Sequence, residues 1–236
     1  MLLQAENICK TYFRKTGDSN YFYAVCPLSL EIYPGTVTVL TGRSGSGKTT
    51  LLNMLSGILQ PSEGSVRLDG TDLYSLDDAA LSRLRNERTG VVPQARSAVD
   101  TLTVAENILL PAKLYGKAEP AEKANDWMER FEIRHLADAL PRELSGGELR
   151  RMAIIRAVVG DPDILFADEP TGDLDDENTA KVLSALYSLA HEKNKAVLIV
   201  THENDAVKYA DRLFRMEKGR LSACTLPEIH PAADGR

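Results

Sequence analysis

The stretch from Thr36 to Leu52 reads TVTVLTGRSGSGKTTLL. Its first six residues are β-branched or apolar, as in a buried strand. Glycines 42, 45 and 47 then punctuate a loop, and Leu51, Leu52, Leu55, Ile58 and Leu59 recur at helical spacing, which predicts a helix over residues 49–59. A strand feeding a glycine-rich loop that opens a helix is the context required of the pattern Gly42-x-x-x-x-Gly47-Lys48-Thr49. Bare backbone there lets N–H groups converge on phosphate oxygens, and the helix N-terminus adds its positive end. Gly42, Arg43, Ser44, Gly45, Ser46, Gly47, Lys48, Thr49 and Thr50 are therefore candidate nucleotide-binding residues. Lys48 would reach the β- and γ-phosphates, and the Thr49 hydroxyl would bind Mg²⁺.

A phosphate loop needs a second element to become a hydrolase. From Asp163 the chain reads DILFADEP, an apolar strand ending in Asp168-Glu169, 120 residues after Lys48. Two carboxylates at a strand mouth divide the work: Asp168 orients Mg²⁺ through its water shell, and Glu169 serves the attacking water as general base. Together the two elements point to a nucleoside triphosphatase. No Asn-Lys-x-Asp guanine motif stands near the expected strand ends, which favours ATP.

Composition sets outer limits. With 236 residues the chain can bury a substantial core, and 28 basic against 34 acidic residues leave a net charge of −6. That balance argues against a general nucleic-acid binder, so no nucleic-acid partner is expected. Cys9, Cys26 and Cys224 are too scattered for a disulfide framework or a metal site and read as reduced thiols. No run approaches the roughly 18 apolar residues of a membrane span, and the N-terminal residues show no signal-peptide pattern. The expectation is a soluble protein that meets a membrane only through a partner.

Residues 1–40 read as short strands, and PSEGSVRLDG as another bounded by turns. From about Leu76 to Val159 the patterns are mostly helical, notably TVAENILLPAKLYG and AEKANDWMERFEI. DILFAD, NTAKVLSALYSLAHEK, AVLIVTH and RLFRMEKGRL then return to alternating strands and helices, which implies a mostly parallel sheet covered on both faces. The expected organisation is one domain over 1–236: a nucleotide-binding core of 1–93 and 161–225, a helical insertion of 94–160, and a loose tail of 226–236.

The segment LSGGELRRMAIIRA (Leu144–Ala157) starts a helix on bare backbone. Ser145 is a good N-cap, but a cap needs no glycines, and Gly146 and Gly147 each cost a helix up to about 1 kcal/mol against alanine. Bare backbone at a helix N-terminus suits a close anion. With one phosphate loop already present, a second such surface makes sense if it serves a nucleotide held by another copy.

LSGGE (Leu144, Ser145, Gly146, Gly147, Glu148) is similar to the signature of ATP-binding-cassette (ABC) ATPases, and the other elements of that family follow in order over about residues 3–222. The resemblance implies an α/β P-loop NTPase with a RecA-like core sheet, an N-terminal antiparallel β subdomain and an inserted α-helical subdomain. It further implies that Tyr12 in KTY stacks on adenine, with Phe13, Tyr21, Phe22 and Tyr23 as competitors. Gln94 in VVPQ resembles the glutamine that senses Mg²⁺ and the attacking water and couples to the partner. Asp175 in EPTGDLD resembles the acid of the D-loop, and His202 in VLIVTH the switch histidine that contacts the γ-phosphate. The implied assembly is a homodimer sandwiching two ATP molecules, each between the Lys48 loop of one copy and the Ser145 helix of the other.

Within the family, EPTGxLD, Gly70-x-x-Leu73-Tyr74 and LTVAEN (Leu102–Asn107) resemble a bacterial branch serving lipoprotein release, macrolide export and cell division. Integral membrane permease subunits are the expected partners, at the cytoplasmic face of the bacterial inner membrane. A cell-division-type ATPase that signals rather than transports stays open. A DNA-repair ATPase would carry a long coiled coil where only 50 residues separate Gln94 from Leu144, and a two-cassette translation factor would show two motif sets. Leu149 and Arg150 stand where glutamines commonly follow the signature, and ARSAVD (95–100) replaces a segment that often holds an aromatic and Leu-Leu-Pro.

Overall fold

In the computed structural model, which describes residues 1–13, 21–116, 120–172 and 174–226, the quoted strand forms as read and the glycine loop opens a helix, shorter than read. In chain order the strands are β1 (Leu3–Phe13), β2 (Tyr21–Ile32), β3 (Thr36–Thr41), β4 (Glu63–Leu68), β5 (Thr71–Asp72), β6 (Thr89–Val92), β7 (Ile164–Asp168), β8 (Ala196–Thr201), β9 (Arg212–Glu217) and β10 (Arg220–Cys224). The α-helices are α1 (Lys48–Leu55), α2 (Asp78–Arg88), α3 (Val104–Leu114), α4 (Ala121–Arg130), α5 (Gly146–Val158) and α6 (Asp176–Lys193). The expected loose tail lies, from residue 227 onward, outside the described residues.

Six strands order as β10-β9-β3-β8-β7-β6, parallel except for the terminal β9–β10 hairpin. Their residues alternate between two cores. Ile164, Phe166, Leu198 and Val200 face the cluster shared with α1 and the second sheet, while Leu165, Ala167, Val197 and Ile199 face the cluster of α3–α6. Every residue of β7 and β8 is consequently buried, which is why both read as unbroken apolar runs. Each such Leu, Ile, Val or Phe contributes about 1.5–3 kcal/mol through burial. The second sheet is antiparallel, β2-β1-β4-β5, and α1 lies between the two sheets, touching β1, β2, β7 and β8. This is the mixed α/β architecture that the resemblance implied.

Three details differ from the sequence reading. β1 and β2 are long, 11 and 12 residues, because register shifts near Ile8 and Lys10 break the alternation that would have marked them. The first helix stops at Leu55, since Gly57 takes a left-handed φ of 75°, and Ile58 lies beyond it, 52% exposed. Within the mostly helical stretch, β6 is a core strand whose four residues are too few for a periodic signal.

Candidate active site

Four parallel strands end on one edge of the large sheet, and each delivers part of a site there, as open α/β sheets do at their carboxyl ends. β3 runs into the glycine loop, β6 is followed by Pro93-Gln94, β7 closes on Asp168 and precedes Glu169, and β8 precedes His202. A cavity of about 920 Å³ opens at this edge, within the size range of ligand sites. It is lined by the loop residues Gly42, Arg43, Ser44, Gly45, Gly47, Lys48, Thr49 and Thr50, and by Gln94, Glu169 and His202.

Glycine is needed at two points of the loop. A Cβ at Gly42 would meet the Met216 carbonyl at 2.4 Å, and one at Gly47 the Ala24 carbonyl at 2.3 Å. Gly47 also holds a φ of 105°. The loop is thus pressed against β9 and β2. Lys48 is buried, and its ammonium donates to the carbonyls of Gly42 at 2.7 Å and Arg43 at 3.2 Å. Ser46 is buried and lies outside the cavity wall.

Behind the loop, Asp168 is 2% exposed; burial pushes its carboxyl pKa up, partly offset by a hydrogen bond from the Thr49 hydroxyl. Its buried Oδ1 has no hydrogen-bond partner. A buried carboxylate with one satisfied and one orphaned oxygen beside a threonine hydroxyl fits the hard, oxygen-ligated Mg²⁺, reached through water.

Glu169 holds a left-handed φ of 50°, a conformation that costs a non-glycine residue about 1–2 kcal/mol. Backbone bonds fix it: its N–H donates to Val200 and its carbonyl accepts from Gly172. Its Oε2 accepts from the Thr201 hydroxyl at 2.9 Å and from the His202 N–H at 3.3 Å. Its Oε1 lies 2.9 Å from His202 Nδ1, and this carboxylate holds the imidazole pKa above its usual value. A second brace joins the same turns, as the Thr171 hydroxyl donates to Glu203 and the Glu203 N–H donates to Thr201 Oγ1. Nothing marked Thr171, Thr201 or Glu203 in the sequence, because threonine and glutamate at strand ends are ordinary.

The aromatic wall is Phe22 and Tyr23, and Tyr12 is not among the lining residues. Its ring stacks on Phe22 with centroids 5.9 Å apart. Leu144–Glu148 also lie off the cavity. Ser145 caps α5 in a full capping box: its hydroxyl accepts from the Glu148 N–H, and the Glu148 carboxylate accepts from the Ser145 N–H at 2.7 Å. Those bonds hold the Glu148 carboxyl below the usual range. Asp175 caps α6, accepting from the Asn178 N–H and side-chain amide, which lowers its pKa in the same way. The intervening Asp173 of the same motif lies outside the described residues. Among the described residues, no helix is long and apolar enough to cross a membrane.

The model of the ABC transporter family matches residues 25–172. The Bacillus subtilis ABC transporter ATP-binding protein YvcR is 36% identical over 231 residues, 97% of this chain and 87% of YvcR. The Mycobacterium tuberculosis ABC transporter ATP-binding protein Rv2564 is 37% identical over 217 residues, 89% of this chain; the chain spans 66% of that relative's length. Among solved structures, the dimeric bacterial ABC transporter cassette MJ0796 superposes with a TM-score of 0.87 at 32% identity, covering 94% of this chain and 98% of the cassette. That cassette is also known as a dimer in a post-hydrolysis state bound to ADP and Pi.

Proposed function

The chain belongs to the ABC transporter family as an ATP-binding cassette, and from that premise we propose that it hydrolyses ATP as a homodimer and drives a separate membrane permease. The observation that carries the reading is the convergence of Lys48, Gln94, Glu169 and His202 on one cavity from four strand ends.

The loop N–H groups and Lys48 bind and orient the triphosphate, and Phe22, backed by the Tyr12 ring, offers the base a stacking face. Thr49 and Gln94 would hold Mg²⁺, with Asp168 acting through water, and the ion would supply neutralisation of the phosphate charge. Glu169 takes the proton of the attacking water. Its Oε1 is engaged by His202, so the imidazole has to turn away to free it. Turning toward the γ-phosphate satisfies both demands, because a protonated His202 exchanges one anion for another. The signature residues Leu144–Glu148 stand off the cavity of their own chain, which supports their serving a nucleotide held by a second copy.

In this reading residues 1–93 and 161–225 form the nucleotide-binding core and 94–160 the helical part that meets the permease. The protein sits peripherally on the cytoplasmic face of a bacterial inner membrane. The branch resemblance favours export or extraction by force transmission. ATP turnover by the purified chain, set beside Glu169→Gln, tests the enzymatic claim. Co-purification of a permease through residues 94–115 tests the assembly; turnover with no captured membrane protein would leave an ATPase without a transporter.

A further inference from the structure

Arg150 stands one turn into α5, at a place where the signature segment commonly carries glutamine. Its guanidinium donates to the Pro93 carbonyl at 2.7 Å and the Gln94 carbonyl at 3.2 Å. Six residues along the same helix, Arg156 donates to the Ser97 carbonyl at 2.7 Å and to the Ser97 hydroxyl. The segment between β6 and α3 has no helix or strand of its own; buried Asn107 holds its far end at Val99, and the two arginines hold its root. The same guanidinium lies beside the turn after Glu169, where a Cβ on Gly172 would come within 3.8 Å of Arg150 Nη2.

We propose that Arg150 is a positioning residue that fastens Gln94 to the helix bearing Ser145, so that the two move as one body. The role of Gln94 rests on the function proposed above. A forked cation suits the task, since it spans two consecutive carbonyls with charge-assisted hydrogen bonds and asks nothing of the side chains they belong to. Through it, a displacement of α5 by a second copy or a permease shifts the glutamine beside Lys48 and Glu169. The departures at Arg150 and at 95–100 are then one feature: an altered loop and the altered side chain that holds its root.

Two variants and two readouts test this. Arg150→Met keeps the length and removes every donor, while Arg150→Gln retains one amide and should recover part of the loss. For Arg150→Met, kcat is expected to fall about ten- to hundredfold with KM within about twofold, as for a group held out of place. Adding Gln94→Ala should cost little more, because the two act through one interaction. In nucleotide-free protein, tryptic cleavage after the exposed Arg96 should quicken about fivefold once the loop is released. Wild-type turnover in Arg150→Met, or an unchanged cleavage rate, would each overturn the proposal. Should Arg150→Met fail to fold, Arg150→Gln carries both arms. Should the wild-type chain fail to hydrolyse ATP, the functional reading falls, and the cleavage rate alone decides the tether.

Discussion

The Nδ1 atom of His202 lies 2.9 Å from Oε1 of Glu169, joining the ends of two neighbouring strands of the parallel sheet. Glu169 is buried and the imidazole is largely exposed, so an exposed ring whose pKa is raised sits against a buried carboxylate.

The raised pKa of His202 has a definite sign in pH. The folded value lies above the unfolded value of about 6.5, so the pair's contribution is fully present below that value. It is lost as pH rises through the folded pKa. In Glu169→Gln the His202 pKa, followed by NMR, should fall back toward its ordinary value. An unchanged pKa would mean that the carboxylate does not hold the proton on the ring.

The same substitution separates binding from chemistry. Glu169→Gln should bind ATP while turning over at least about a hundredfold more slowly, the scale of a lost general base. It should accumulate as an ATP-dependent dimer, visible by size-exclusion chromatography with and without nucleotide. Normal hydrolysis would remove Glu169 from the role given to it.

Ser145 caps α5, and in the proposed assembly it also meets the second copy's nucleotide; the two roles can be separated. Ser145→Ala removes the cap and should cost about 1 kcal/mol, a drop of roughly 2–4 °C in melting temperature for a chain of this size. Ser145→Arg should abolish turnover yet leave ATP binding to the monomer intact. Activity surviving in a strictly monomeric preparation of either variant would defeat the shared-site assembly.

Two loop glycines distinguish space from strain. Gly45 has a φ of 75° and no atom within 4 Å of the point a Cβ would occupy, whereas Gly47 has a φ of 105° and the Ala24 carbonyl at 2.3 Å from that point. Gly45→Ala should therefore cost about 1–2 kcal/mol in strain alone. Gly47→Ala should cost more and weaken nucleotide binding, by calorimetric melting and fluorescent-ATP titration; equal losses would show that the clash relaxes freely.

The aromatic pair predicts an order of effects. Phe22→Ala should reduce ATP affinity by about 1–3 kcal/mol, the scale of base stacking, and Tyr12→Ala by less. A larger loss at Tyr12 in the same titration would assign the base to that ring.

Much of this molecule was legible in one dimension. The phosphate loop needs particular residues at consecutive positions, so Gly42, Gly47, Lys48 and Thr49 announce it locally. β7 and β8 read as strands because both of their faces are covered. The N-cap at Ser145 was legible because capping is local, while its reciprocal partner Glu148 came with the structure. Other features were hidden for equally physical reasons. β6 is too short for a period, and bulges scramble the alternation of β1.

Sequence by itself offered candidates for the chemistry: a phosphate loop, a carboxylate pair and a bare helix start, each recognisable because its residues are neighbours in the chain, and a glutamine and a histidine marked only by the family resemblance. Only the tertiary structure decided how they meet. β8 lies between β3 and β7 in the sheet, which brings His202, 33 residues downstream, onto Glu169. The packing of β2 against the loop puts Phe22 rather than Tyr12 on the cavity wall. The fork of Arg150 reaches back 57 residues to Pro93. Strand order and long side-chain reach come from burying two cores at once, and that condition is written in no single stretch of the chain.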